Sequence, residues 1–83
     1  MIRLPALLAA EAGGRNRFEV DAPTVAAALH ALPIADLLFD ERGALRPLVN
    51  VYVDGTDARE HAWLETPLEA RTEVRVVAAV AGG

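Results

Sequence analysis

The chain closes on Gly82 and Gly83, which follow the apolar run "VVAAV" and Ala81. Neither glycine carries a side chain that could pack, titrate or bind, so the chemistry on offer is that of a terminal carboxylate. A carboxylate acylates nothing until its oxygen becomes a good leaving group, as in an acyl-adenylate made from ATP. That conversion requires a separate enzyme, and the segment entering it must be thin and extended. Glycine lacks Cβ and reaches backbone conformations closed to other residues, so Gly82 and Gly83 suit a narrow channel where a side chain would clash. A frayed glycine tip is also ordinary at a chain end, so the pair alone does not separate a reactive tail from an idle one.

The other side chains close most alternative routes. There is no Cys, no Ser and no Lys, and all eight basic residues are Arg. Disulfides, thiolate metal sites and thiol nucleophiles are thereby excluded, as are serine and Schiff-base chemistry. Thr24, Thr56, Thr66 and Thr72 remain as aliphatic hydroxyls, and none stands in a recognisable motif. His30 falls one step off the apolar stripe of a helix and His61 in a polar loop, with no carboxylate spaced to complete a metal site. Asp36, Asp40, Glu41, Glu65 and Glu69 are scattered and read as solubility charge. Trp63 reads as a core or half-buried anchor.

The net charge is −4, which gives no phosphate-tracking surface and excludes DNA and RNA as expected partners. No run approaches the ~18 apolar residues of a membrane span, and the N-terminal residues lack the basic stretch, apolar core and cleavage site of a secretory signal. The expected location is cytoplasmic. With 83 residues, 53% of them hydrophobic, the chain can build one small core. A domain of that size buries only about 60% of its unfolded surface, which leaves little room for a cleft.

Several elements must position the tail. Ile2, Leu4, Ala6 and Leu8 alternate with Arg3, Pro5 and Leu7, predicting a strand interrupted near Pro5. "EAGGRN" predicts a turn, and "RNRFEV" a second strand with Phe18 and Val20 on one side, so the two read as a hairpin. Thr24 is a predicted N-cap. Val25, Ala28, Leu29 and Leu32 then form the stripe of an amphipathic helix that Pro33 ends. "PIADLLF" predicts a second short helix, and "DERGALRP" a loop. "VNVYVDG" is the clearest strand, with Val49, Val51 and Val53 on one face and an Asp-Gly turn after it. "TDAREHAWLETPLEA" predicts one brief strand and a helical turn around Trp63. "TEVRVVAAV" predicts the last strand, with Val74, Val76 and Val80 inward, Ala78 in a tight spot, and Arg75, Val77 and Ala79 outward. The fold class is α+β: a mixed sheet of four to five strands packed on one main helix.

The element order, the "VNVYVDG" stretch, Asp57 and Arg59 as "D-x-R", and the ending "AVAGG" resemble the bacterial ubiquitin-like sulfur carriers of the ThiS/MoaD type. Within that family the likeness is to the actinobacterial cysteine-biosynthesis carriers; Ala35 to Pro47 contributes nothing diagnostic. The resemblance implies a ubiquitin-like β-grasp domain over residues 1–80 and a flexible reactive tail over 81–83. It implies that Gly83 is adenylated by a ubiquitin-activating-type adenylyltransferase/sulfurtransferase and converted to a thiocarboxylate. The carrier would hold no cofactor itself, ATP being used by the partner. It would be a co-substrate and not an enzyme, monomeric when free, serving a cysteine synthase-like or thiosugar synthase-like sulfur acceptor.

The expected recognition surface is the sheet face away from the helix, with Arg3, Arg17, Tyr52, Arg75, Val77 and Ala79 leading through Ala81 to Gly82 and Gly83. Arg and aromatic residues beside small apolar ones suit an interface core, although an ordinary solvated sheet face has the same composition. Other readings stay open: a ubiquitin-like protein modifier, the small subunit of molybdopterin synthase, and a non-catalytic β-grasp interaction module.

Overall fold

The computed structural model describes residues 1–78. Five strands form one mixed sheet: β1 (Ile2–Arg3), β2 (Arg17–Phe18), β3 (Val49–Val53), β4 (Thr56–Asp57) and β5 (Val74–Ala78), in the spatial order β2-β1-β5-β3-β4. The first and last strands run parallel at its centre, with Ile2 opposite Val74, and the other pairs are antiparallel. Three α-helices, α1 (Ala6–Glu11), α2 (Val25–His30) and α3 (Ala35–Leu38), and two single 3-10 turns, Ala58–Glu60 and Trp63–Glu65, complete the regular structure of the described residues.

Helix α2 forms as its sequence predicts. The Thr24 hydroxyl accepts a hydrogen bond from the Ala27 N–H at 3.2 Å, satisfying one of the donors a helix start leaves without partners. The stripe Val25, Ala28, Leu29 and Leu32 is buried. It covers the sheet face made by Ile2, Phe18, Val49, Val51, Val53, Val74 and Val76, all in the same core cluster. Ile34, Leu38 and Phe39 extend this core beyond α2, and the loop after α3 is closed by a bridge between Phe39 and Leu45.

The expected strand through Leu8 is overturned. Only Ile2 and Arg3 are in the strand, and Ala6–Glu11 is helical. Pro5 sits at the helix N-cap, φ −69° and ψ 162°, where its missing N–H costs nothing. Five of the six residues after it are Ala or Leu, whose helix propensity is high. The alternation of apolar residues there has no strand to serve: Leu7 is 63% exposed while Ala9 is buried. Strands β1 and β2 still pair antiparallel, but a helix connects them instead of a tight turn. That helix ends as the Gly14 N–H donates to the Ala9 carbonyl at 2.8 Å.

Strands β3 and β4 turn on Asp54 and Gly55, whose φ angles are 49° and 83°. Two consecutive positive values define the hairpin turn that Asp-Gly favours. The Asp54 carboxylate also accepts from the Glu73 N–H at 2.9 Å, and the Asp54 N–H donates to the Glu73 carbonyl at 2.8 Å. The turn therefore holds the start of β5 as well as the end of β3.

Truncating the centre of the helical stripe, Leu29→Ala, is expected to cost about 2–5 kcal/mol, because Leu29 is fully buried. The exposed Leu7→Ala should stay within about 0.5 kcal/mol of the parent. Chemical denaturation of both variants checks the contrast.

Candidate functional site

Strand register gathers distant residues into one row across the sheet. Arg17 pairs with Arg3, Arg3 with Arg75, Arg75 with Tyr52, and Tyr52 with Asp57. Directly paired residues share a face, and the buried valines of β3 and β5 alternate with this row, so the row lies on the side away from α2. The next row pairs Val77 with Asn50. Arg17, Arg75 and Val77 are exposed, while Arg3, Asn50 and Tyr52 are half-buried. The face expected to carry Arg3, Arg17, Tyr52, Arg75 and Val77 thus exists as one contiguous surface. Ala79, Ala81, Gly82 and Gly83, and the inward position expected for Val80, lie outside the described residues.

Three guanidinium groups on adjacent strands repel one another, and one carboxylate offsets part of this. Glu73 lies two residues before Arg75 on the same face, its Oε2 3.4 Å from the Arg3 Nε. That nitrogen is buried and makes no aligned hydrogen bond, so the pair is a Coulombic contact. Both side chains are more than a third exposed, and such a pair contributes about 0–1 kcal/mol. The Arg17 Nε donates to a weak acceptor, the Sδ of Met1, at 3.3 Å. Among the described residues, neither Arg17 nor Arg75 forms an ion pair. A shallow depression lined by Arg3, Pro5, Asn16, Arg17, Arg75 and Val77 runs between β1 and β5, and another beside Tyr52 reaches Gly55 and Glu73.

The margin of this face is a cluster that sequence reasoning did not assemble. The Arg59 Nη1 donates to the Asn50 Oδ1 at 3.0 Å and lies 3.4 Å from the Asp57 Oδ2, while the Asp57 Oδ1 accepts from the Arg59 N–H at 2.9 Å. The same guanidinium stacks over the Trp63 ring, 4.7 Å from its centroid. Trp63 has φ 51°, an uncommon conformation for a bulky residue. Its carbonyl accepts from the Thr66 hydroxyl at 2.6 Å, and that hydroxyl accepts from the Ala62 N–H at 3.1 Å. Thr66 is buried, so the turn that carries Trp63 is held from within. Asn50, Asp57 and Arg59 were visible as motif letters. Their contact was not, because the β3–β4 hairpin brings together residues nine positions apart.

The sequence model of the ThiS family matches residues 2–83. The chain belongs to the ThiS family. The fold agrees: the crystal structure of Mycobacterium tuberculosis CysO superimposes with a TM-score of 0.83 at 27% identity, over 95% of this chain and 97% of that one. SAMP1 from Haloferax volcanii gives a TM-score of 0.77 at 32% identity, over 99% and 96% of the two chains. The Amycolatopsis orientalis BexX/CysO complex contains a chain with the same fold, TM-score 0.83 at 24% identity, over 99% and 97%. No curated protein sequence matches. This ThiS-family chain is therefore a ubiquitin-like β-grasp domain.

The remaining candidates take structural places. Trp63 is half-buried against the core. His30 is exposed and stacks on Phe39, with centroids 4.0 Å apart and planes 7° from parallel; His61 is exposed. Among the described residues no group of His, Asp and Glu could hold a metal ion, and no helix is long and apolar enough to cross a membrane.

Arg59→Ala removes the hydrogen bond to Asn50 and the cation–π contact to Trp63, each worth about 1 kcal/mol, and an exposed ion pair to Asp57 that adds little. A loss of about 1–2 kcal/mol and a shift of Trp63 fluorescence are expected, and Arg59→Lys should not restore either, since an ammonium lacks the planar fork that stacks and bonds at once. Denaturation followed by Trp63 emission measures both.

Proposed function

We propose that the chain is a sulfur carrier whose reactive group is the C-terminal carboxylate of Gly83. The observation that carries this reading is the ThiS-family match, which runs through Gly82 and Gly83 to the last residue. The carboxylate attacks the α-phosphorus of ATP in an activating-type enzyme, pyrophosphate leaves, and an acyl-adenylate forms. Hydrosulfide then attacks the acyl carbon: a carbon–sulfur bond forms, the bond to AMP breaks, and the product is a thiocarboxylate. A persulfide donor would serve equally if a thiol then cleaved the sulfur–sulfur bond. The carrier supplies no catalytic side chain and acts as a co-substrate.

Sulfur held this way needs no cysteine, and the chain has none. The protein body becomes the handle by which activating and acceptor enzymes recognise a small reactive group. The face bearing Arg3, Arg17, Tyr52, Arg75 and Val77, continued by Ala79 and Ala81, is assigned to that recognition. Likeness to CysO favours an acceptor of the cysteine synthase-like or thiosugar synthase-like kind over molybdopterin synthase. The reading places the cycle in the cytoplasm.

A second reading has an observation of its own. SAMP1, a small archaeal modifier protein by name, is 32% identical to this chain. A modifier would use the same adenylate but pass the acyl group to an amine of a target protein. Lacking Lys, this chain offers no side-chain amine on which polymers of itself could grow.

An intact-protein mass spectrum after incubation with ATP, sulfide and an activating-type enzyme tests the choice, with a chain lacking Gly83 as control. Replacement of one oxygen by sulfur, seen only in the intact chain, is expected. Adducts on other proteins would select the modifier, and no change with an enzyme proven active on another carrier would leave the interaction module. Val77→Asp should slow adenylation at least tenfold while the thermal midpoint stays within a few degrees; unchanged activation kinetics would remove Val77 from the recognition face.

A further inference from the structure

All eight basic residues of the chain are Arg and none is Lys. Four of them, Arg3, Arg17, Arg59 and Arg75, stand on the open sheet face and its margin. Five residues follow Ala78 to the end of the chain, at most about 18 Å when extended. Arg75 is three positions back from Ala78 along β5, about 10 Å. Arg3 and Arg17 stand one and two strands beyond it, at about 5 Å per strand. Asn50, which accepts from the Arg59 guanidinium, pairs with Val77. The acyl carbon of Gly83 therefore has the reach to meet all four side chains.

Activation makes that carbon an electrophile. An amine that meets the acyl-adenylate displaces AMP: a nitrogen–carbon bond forms, the carbon–oxygen bond to AMP breaks, and the amine gives up a proton. A lysine within reach would thus close the carrier into a ring, or join it to a second copy, and the terminus would be lost to sulfur. The two kinds of cation differ sharply as nucleophiles. Near pH 8 about 0.4% of ordinary lysine side chains are free amines, against less than about 0.003% of guanidinium groups, and the lone pairs of a guanidine are delocalised over its plane.

Resting on the sulfur-carrier reading, we infer that Arg3, Arg17, Arg59 and Arg75 are specificity-determining residues, which keep this face positive while denying the activated Gly83 an amine on its own carrier. The acyl group is thereby reserved for sulfur. Other nucleophiles are withheld by placement. The Met1 ammonium donates to the Thr72 carbonyl at 3.0 Å, half-buried beside the start of β5 and so at the opposite end from Ala78. The Thr24, Thr66 and Thr72 hydroxyls are engaged in local hydrogen bonds, and none has a base beside it to activate it. His30 stacks on Phe39 on the α2 side of the sheet, and His61 lies with Asp54 and Thr72 at the turn end.

The test counts amide formed per AMP released when the carrier is incubated with ATP and a purified activating-type enzyme without sulfide, read by intact-protein mass spectrometry and a denaturing gel. The parent should return to its starting mass by hydrolysis. Arg17→Lys and Arg75→Lys should each give at least tenfold more of a species lighter by one water, the internal amide, or of a covalent dimer. Arg71→Lys, exposed before the start of β5, should give several-fold less internal amide than either. Counting per AMP removes any slowing of activation, and a thermal scan confirms that the charge-conserving variants fold. For a variant that is not activated, the same chain carrying a small alkyl thioester at Gly83 gives the ratio of amide to hydrolysis without the enzyme. Lysine variants that hydrolyse as cleanly as the parent overturn the proposal and leave the arginines as charge alone. A parent that releases no AMP, with an enzyme proven active on another carrier, overturns the sulfur-carrier reading and this role with it, so AMP release by the parent tells the two failures apart.

Discussion

The parallel pairing of β1 with β5 is the constraint on which the rest depends. It joins the beginning of the chain to its last described strand, with Ile2 opposite Val74 on the core side and Arg3 opposite Arg75 on the other. Long-range pairing of this kind carries a large loop-closure cost, which burial must offset. The core side does so: Ile2, Val74 and Val76 are each about 1% exposed beneath α2. Because side chains alternate strictly along a strand, packing the valines inward leaves no choice about where the arginines go.

That coupling orients the open sheet face before any side chain on it makes a contact, and β5, which precedes Gly83 in the chain, is the central strand of the sheet. The Asp54-Gly55 turn reinforces the arrangement by holding Glu73 through two hydrogen bonds, which also places the Glu73 carboxylate beside Arg3. One turn thus fixes strand register and tempers the repulsion along the arginine row.

The Arg59 cluster shows a second way of building surface from tertiary contacts. A positive φ at Trp63 is an energetic cost, offset by the buried Thr66 hydroxyl that bonds the turn across its base. The result is an aromatic platform under an arginine. Asn50, in the middle of a valine-rich strand, completes it by giving the guanidinium an acceptor.

Periodicity and turn chemistry made much of this readable in advance. Thr24 with the stripe Val25, Ala28, Leu29 and Leu32, the alternating valines of β3 and β5, and the Asp-Gly turn are local signals whose meaning the fold did not alter. Position in the sequence also brought Arg3, Arg17, Tyr52 and Arg75 to one face, because each alternates with a buried neighbour. The stretch from Pro5 to Glu11 shows where such reading stops. Its apolar residues fit a strand by alternation and a helix by propensity, and no local feature settles the choice. Tertiary structure settled it: β1 has partners on both sides only at Ile2 and Arg3, and residues beyond the ladder form the helix their composition prefers. The link from Asn50 through Arg59 to Trp63, and the balance of Glu73 against Arg3, were decided there too, because distances between side chains on different strands exist only after register has been chosen.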